Sequence, residues 1–162
     1  MTESARFPQG QGPAPLRYQR CRFVAQLPLD RLYTSDHYWL RQESPDTWRV
    51  GLTPWAVRML GDFVEYRFDV APGAAVKLGD PLGALEGFKA LVEIRAVVAG
   101  TFVEGNPMLA VNLDAIAQDC YGAGWLYLIQ GTPDRDMHDA PGYQRLLDQT
   151  IDALRGSGPP VA

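Results

Sequence analysis

Residues 71–87 read APGAAVKLGDPLGALEG, and glycine or proline interrupts this stretch every few residues. Proline removes a backbone N–H donor, and glycine allows the tight corners that other residues resist. Such punctuation restricts the chain to short strands joined by close turns, as in a small barrel or sandwich. The stretch therefore predicts a mainly β fold.

Two runs flank this stretch and are typical of strands. Residues 63–70, FVEYRFDV, alternate in character, which predicts that the side chains of 64, 66, 68 and 70 share one face. Residues 91–98, LVEIRAVV, are rich in β-branched and apolar residues. The strand-like run LGALE precedes it, and the turn sequence GFKA lies between LGALE and LVEIRAVV. Together they predict a hairpin whose turn contains Lys89.

The remaining elements follow from local signals. Runs 37–42 and 47–52 form a predicted hairpin around the turn sequence ESPD. A short helix is predicted with Thr53 as N-cap, Pro54 at N1 and Gly61 after its end. Further strands are predicted at GTFVE and GWLYLIQ, and a further short helix around residues 114–118.

A C-terminal helix is predicted from Asp139, its cap, to Gly156, where it stops. Its apolar residues recur at helical spacing and predict one buried face, formed by Tyr143, Leu146, Leu147, Ile151 and Leu154. We divide the chain into a flexible or partly extended leader (1–29), a central domain (30–133), and a C-terminal helix and tail (134–162). Weak alternation at residues 18–23 predicts one added edge strand.

Composition narrows the class of protein. Hydrophobic residues make up 46% of the chain and charged residues 21%, as in ordinary globular domains. Apolar runs stay well short of the roughly 20 residues of a membrane span, and no signal-peptide pattern precedes the domain. We therefore expect no membrane partner and a cytoplasmic location. The basic start permits a transit peptide as the alternative, although it lacks an amphipathic arginine helix.

Charge is unevenly distributed along the chain. Residues 1–22 hold four arginines and one acid, whereas residues 23–162 hold 11 basic and 18 acidic side chains. An acidic body argues against nucleic acid and favours basic partner surfaces. Two cysteines and two histidines, far apart in sequence, predict neither disulfides nor a metal site. No motif of nucleophilic, metal-dependent or nucleotide-dependent catalysis is present, so we expect no catalytic residues.

Lysine is scarce in this chain. Of 15 basic residues, 13 are arginine, and only Lys77 and Lys89 are lysine. An amine can be acylated, whereas a guanidinium cannot take that role. Lys89, in a hairpin turn that Gly87 makes possible, is therefore a candidate attachment point, and Lys77 is interpreted as a surface charge. Taken alone, the turn position is weak support, because most such lysines are only solvated.

Five blocks along the chain match one family in order and spacing. The blocks are LYTSDHYWL, VGLTPWAVRMLGDFVEY, PGAAVKLGDPLGALEGFKA, VVAGTFVEGN and DCYGAGWLYLI. Through them the sequence resembles the glycine cleavage system H protein family over about residues 30–132. The corresponding family patterns are DHEW, GIT-x-x-A with LGD, P-x-x-G with ESVKA, SPV-x-G-x-V-x-x-N, and DPYG-x-GWL.

The resemblance implies a barrel-sandwich hybrid fold with short helices and a C-terminal helix. It implies a covalent lipoate on Lys89, with Glu86, Gly87 and Ala90 completing the recognition hairpin. The sequence departs from the family pattern at five positions, namely Tyr38, Gly87, Phe88, Val97 and Cys120. Phe88 adds an apolar contact beside the lysine. Glu65 and Glu93 either border a groove for the arm or are solvated charges on strand faces.

The resemblance also implies a role and a set of partners. The protein would be a monomeric carrier, and would catalyse nothing itself. Its lipoyl arm would take the aminomethyl group of glycine from a pyridoxal-phosphate glycine decarboxylase to an aminomethyltransferase. The loaded arm would fold back onto the protein. Dihydrolipoamide dehydrogenase would reoxidise the arm, and a lipoate ligase or a lipoyl or octanoyl transferase would attach it.

Two alternatives stay open from the sequence. One keeps the lipoyl group but changes the pathway, to sulfur oxidation or to a lipoyl relay. The other is an unmodified interaction module in which Lys89 is only a charge. The retention of Glu86, Lys89 and Ala90 in a lysine-poor chain argues against the second alternative.

Overall fold

The computed structural model describes residues 14–156. Residues 1–13 of the predicted leader (1–29) lie outside the described residues, as do residues 157–162 of the tail. The strands are β1 Leu16–Arg20, β2 Phe23–Leu27, β3 Leu32–Tyr33, β4 Tyr38–Ser44, β5 Thr47–Leu52, β6 Phe63–Phe68, β7 Ala75–Val76, β8 Pro81–Gly87, β9 Leu91–Arg95, β10 Val98–Gly105 and β11 Tyr127–Pro133. The helices are α1 Pro54–Leu60, α2 Ala115–Gln118 and α3 Ala140–Gly156, with a 3-10 turn at Pro107–Ala110.

Two antiparallel sheets enclose the main core. One has six strands in the order β3-β4-β5-β11-β10-β7, and the other has three in the order β6-β8-β9. The strands are short because glycines and prolines interrupt them, as the sequence predicts. Buried side chains from both sheets meet between them, including Leu40, Val50, Leu85, Ile94, Phe102 and Tyr127. The predicted mainly β architecture is confirmed.

A second apolar cluster lies outside the two sheets. It joins α3 to the β1–β2 hairpin and to the aromatic residues Tyr33, Trp39 and Trp55. The sequence predicts one edge strand here. That prediction is wrong, because β1 and β2 pair only with each other, from Leu16 opposite Leu27 to Arg20 opposite Phe23. Their alternating buried positions face α3 rather than a sheet.

One predicted strand face is also corrected. Residues 64, 66, 68 and 70 do not all share a face, because the register between β6 and β8 shifts between Phe63 and Glu65. A bulge of this kind turns one residue out of the alternation. Phe63 is therefore buried, whereas Val64 is exposed near the recognition hairpin.

Helix α1 is held at both ends as its sequence predicts. The Thr53 hydroxyl accepts from the N–H of Ala56 at 3.5 Å, and Gly61 ends the helix with φ +76°. The Tyr143 hydroxyl of α3 lies 2.8 Å from Thr53 Oγ1 and 2.7 Å from His37 Nδ1. This chain of polar groups ties the start of α1 to α3.

Tyr143→Phe is expected to lower the free energy of unfolding by about 2 kcal/mol, because it leaves buried Thr53 and half-buried His37 without a shared partner. Denaturant unfolding, followed by circular dichroism, measures the loss. Tyr66→Phe is the matched control, since its hydroxyl makes no hydrogen bond within the described chain. Equal stabilities for the two variants would contradict the role of this network.

Candidate functional site

Lys89 lies at the tip of the β8–β9 hairpin. The three-residue connection 88–90 joins the strands, and the N–H of Gly87 donates to the carbonyl of Ala90 at 2.8 Å. The register below the tip pairs Glu86 with Leu91 and Leu85 with Val92. The predicted hairpin is therefore present, with Lys89 and Ala90 in its turn and Glu86 and Gly87 at the end of β8.

The tip is bonded to the end of α1. The N–H of Lys89 donates to the carbonyl of Leu60 at 3.0 Å, and that of Phe88 donates to the carbonyl of Asp62 at 2.6 Å. The last carbonyls of a helix have no partner within the helix, so the amide of Lys89 stabilises the end of α1, and the amide of Phe88 bonds to the segment that follows it. The backbone carbonyl of Asp62, and not its carboxylate, makes this contact.

Two glycines allow this close approach. A Cβ on Gly87 would lie 2.3 Å from the carbonyl oxygen of Leu60, a separation too short for any side chain. A Cβ on Gly61 would lie 3.0 Å from Lys89 Cγ, so the stem of the lysine rests over Gly61. The positive φ of Gly61 independently favours glycine. The backbone of Lys89 is thus fixed while its side chain is exposed.

Lys89 rises from an apolar surface. Its exposed neighbours in the chain and on the adjoining elements are Phe88 (83% exposed), Leu91 (67%), Val64 (56%) and Met59 (48%). Lys89 forms no ion pair with any residue in the described range 14–156. An unpaired amine among exposed apolar side chains is open to an enzyme that acylates it.

Glu86 lies on the outer face of the three-stranded sheet. It is opposite Glu65 of β6, and both carboxylates line a shallow depression with Leu91. Glu86 is therefore exposed one strand position below the tip. Ala90 accepts the hydrogen bond that closes the turn.

A cleft of about 440 Å³ adjoins the hairpin tip through Leu60. It lies between α1, β9 and the segment that precedes β4. Its lining is Asp36, His37, Tyr38, Leu52, Ala56, Met59, Leu60, Val92, Glu93 and Arg95. Most of the lining is apolar, so the cleft can cover a hydrocarbon chain that starts at Lys89.

The two acids that the sequence proposed for an arm groove are separated by the fold. Glu93 lines the cleft, but its carboxylate lies 2.7 Å from the Arg95 guanidinium. Glu65 lies beside Glu86 in the other depression. Tyr38 stands where the family has glutamate. Its hydroxyl accepts a hydrogen bond from the N–H of Arg95, and burial raises the pKa of Tyr38 to about 12.

Asp36 was not assigned a role by the sequence reasoning. It is exposed, lines the cleft and forms no ion pair within residues 14–156, although its carboxylate accepts from the Thr34 hydroxyl. The sequence signal that could have identified Asp36 is its position in the matched block LYTSDHYWL. His37 follows it with φ +74°, and burial lowers the pKa of its imidazole, which keeps the ring neutral near pH 7.

Burial raises the pKa of the Cys120 thiol to about 12, and both cysteines are free. No group of three or more His, Cys, Asp or Glu residues between 14 and 156 could hold a metal ion. None of the described helices is long and apolar enough to cross a membrane. Lys77 is exposed, as expected.

A two-sheet β domain that presents one unpaired lysine on a fixed hairpin tip has the form of a covalent cofactor carrier. Comparison with known proteins identifies the family. The Glycine cleavage H-protein family matches residues 31–148. A glycine cleavage system H protein of Escherichia coli O7:K1 is 32% identical over 128 residues, which cover 77% of this chain and 98% of the relative.

Two further relatives agree. A glycine cleavage system H protein of Mycobacterium tuberculosis is 35% identical over 130 residues, which cover 80% of this chain and 93% of the relative. The crystal structure of a glycine cleavage system H protein from Mycobacterium marinum superposes with a TM-score of 0.66 at 35% identity, covering 77% of this chain and 99% of that one. The chain belongs to the glycine cleavage H-protein family, and the barrel-sandwich fold implied by the sequence is confirmed.

Gly87→Ser, which restores the serine of the family pattern, is expected to destabilise this protein by about 2 kcal/mol, because its Cβ would meet the Leu60 carbonyl. Denaturant unfolding measures the change. Gly156→Ser is the control, since a Cβ there meets nothing within 4 Å. A Gly87→Ser protein as stable as the control would show that the tip does not pack this closely on α1.

Proposed function

We propose that this chain is the lipoyl carrier of the glycine cleavage system, with lipoate joined by an amide bond to Lys89 Nζ. The observation that supports the proposal most is the hairpin tip, where a fixed backbone carries an exposed and unpaired lysine. Family membership gives the system in which such a lysine would act.

The residues present fit lipoate. The amine of Lys89 has no competing ion pair in the described structure, and an apolar cleft begins at Leu60, whose carbonyl accepts from the lysine N–H. When bound, lipoate supplies a disulfide on a long arm that accepts the aminomethyl group and passes it on. The cleft would shelter the arm, with Leu52, Met59 and Val92 covering its hydrocarbon and the carboxylate of Asp36 at the rim.

The contribution of the protein is positional. A fixed tip sets where the arm starts, so a docked enzyme meets the reactive end at a high effective concentration. We assign the glycine decarboxylase, the aminomethyltransferase and dihydrolipoamide dehydrogenase as the enzymes served, with the protein as a cytoplasmic monomer that is a carrier and not an enzyme. Glu86, Gly87 and Ala90 would present Lys89 to the lipoylating enzyme.

Intact mass spectrometry with peptide mapping tests the attachment. The protein isolated from its host, or from cells supplied with lipoate, is expected to carry one lipoyl group on Lys89. Lys89→Arg should lose it, and Lys77→Arg should keep it. An unmodified Lys89 in cells where other proteins are lipoylated would contradict the proposal and favour an interaction module.

Glu86→Gln is expected to lower the rate of lipoylation by about tenfold, because it removes the charge beside the lysine that the modifying enzyme would contact. The rate is followed by the mass of the protein during incubation with purified lipoate ligase, ATP and lipoate. Glu65→Gln is the matched control, since it removes an equal charge from the opposite strand. If both variants are modified at the same rate, Glu86 has no recognition role.

Activity with glycine decarboxylase distinguishes the glycine cleavage pathway from other lipoyl-dependent pathways. The lipoylated protein should support glycine decarboxylation when mixed with purified glycine decarboxylase. A lipoylated protein that supports none with the decarboxylase of its own host would instead point to another lipoyl-dependent pathway.

A further inference from the structure

The β1–β2 hairpin is an addition to the family match, since it precedes residue 31. It is firmly packed on the domain. The Tyr18 hydroxyl donates to Asp148 of α3 at 2.7 Å, and the ring of Phe23 meets that of Trp55 edge-on at 5.1 Å. Its position relative to α1 and α3 is therefore fixed.

A groove of about 610 Å³ runs between the turn of this hairpin, α1 and the end of α3. We call it the arginine groove. It is lined by Arg20, Cys21, Arg22, Phe23, Trp55, Arg58, Ile151, Leu154 and Arg155. Four lining residues are arginine and none is acidic, whereas the chain as a whole has a net charge of −4.

Three of the four guanidinium groups have no acidic partner among the described residues. Arg20 pairs with Asp152 at 2.8 Å and with Asp148 at 3.5 Å. Arg22, Arg58 and Arg155 are exposed and form no ion pair with the described residues 14–156. Arg155 donates to Cys21 Sγ at 3.0 Å, and Arg58 lies over the ring of Phe23 at 5.9 Å. Like charges that line one groove repel each other unless an anion joins them.

The floor of the groove is apolar. Phe23, Trp55 and Ile151 form it as buried side chains, and Leu154 is 52% exposed beside Arg155. Arginine binds carboxylates through two parallel hydrogen bonds. A groove with cations around an apolar floor fits a protein segment that carries both carboxylates and apolar side chains.

The groove also lies close to the arm. Arg58 precedes Gly61 by three residues, which is about 5 Å along a helix axis, and the stem of Lys89 rests over Gly61. A protein bound in the groove is therefore positioned beside the base of the arm. The acidic remainder of this chain would repel the same acidic segment elsewhere, which selects one docking orientation.

We propose that the arginine groove docks an acidic, partly apolar segment of an enzyme that acts on the lipoyl arm. This inference rests on the proposed carrier function. Because the groove uses residues before position 31, the docking would be particular to chains that carry this hairpin.

The test uses the full-length lipoylated protein with purified glycine decarboxylase and, separately, aminomethyltransferase from the same host. Arg22→Glu/Arg155→Glu reverses two charges of the groove, and Arg135→Glu/Arg145→Glu makes the same charge change at exposed arginines outside it. The KM for the carrier should rise about tenfold for the groove variant with at least one enzyme, with kcat unchanged. The control should stay within twofold of the unchanged protein.

Two further measurements separate docking from misfolding. Arg22→Lys/Arg155→Lys keeps the charge and should recover most of the affinity, and rising salt should raise the KM of the unchanged protein more steeply than that of the charge-reversed variant. A photo-crosslinker attached to exposed Cys21 should label an Asp- and Glu-rich segment of the enzyme.

The outcomes are distinguishable. Equal KM values for the groove and control variants with both enzymes overturn the groove proposal and leave the carrier function intact. An unchanged protein that neither enzyme uses overturns the carrier function, and the groove proposal with it. A crosslink to a second copy of this chain, or self-association that the groove variant loses, assigns the groove to a dimer and overturns the proposal.

Discussion

The two hydrogen bonds from the hairpin tip to the end of α1 are the contacts on which the site depends. The amides of Phe88 and Lys89 satisfy the carbonyls of Asp62 and Leu60, and the same bonds fix the backbone from which the lysine extends. Their approach requires glycine at position 87, because any Cβ would meet the Leu60 carbonyl. Helix end and hairpin tip thus stabilise each other, and the side chain of Lys89 is exposed above them.

Helix α1 is held in place by contacts with the other elements. Its start is capped by Thr53, which the Tyr143 hydroxyl joins to α3, and α3 in turn packs against the β1–β2 hairpin. The helix therefore connects the main core to the second cluster. One of its faces borders the apolar cleft beside the arm, and another borders the arginine groove. The cleft proposed to shelter the arm and the groove proposed to dock a partner therefore lie on two sides of the same short helix.

Local signals were sufficient for much of this structure. The Thr53–Pro54–Gly61 pattern predicted α1, and the scarcity of lysine, with the matched EGFKA block, directed attention to Lys89. What the sequence missed depends on contacts between distant residues. The bulge that exposes Val64 is a matter of register, the Asp62 contact is made by a carbonyl that every residue has, and the β1–β2 pairing is stabilised by packing on α3. The cleft beside Asp36 and the arginine groove exist only once separate segments meet.

Backbone amide hydrogen exchange, resolved by NMR for each residue, tests the central claim most directly. If the tip is bonded to α1, the amides of Phe88 and Lys89 will exchange at least roughly a hundredfold more slowly than in an unstructured peptide, although the lysine side chain is exposed. Exchange of both amides at the unstructured rate, while Leu85 and Ile94 in the strands stay protected, would show a free loop and contradict the account of a fixed base for the arm.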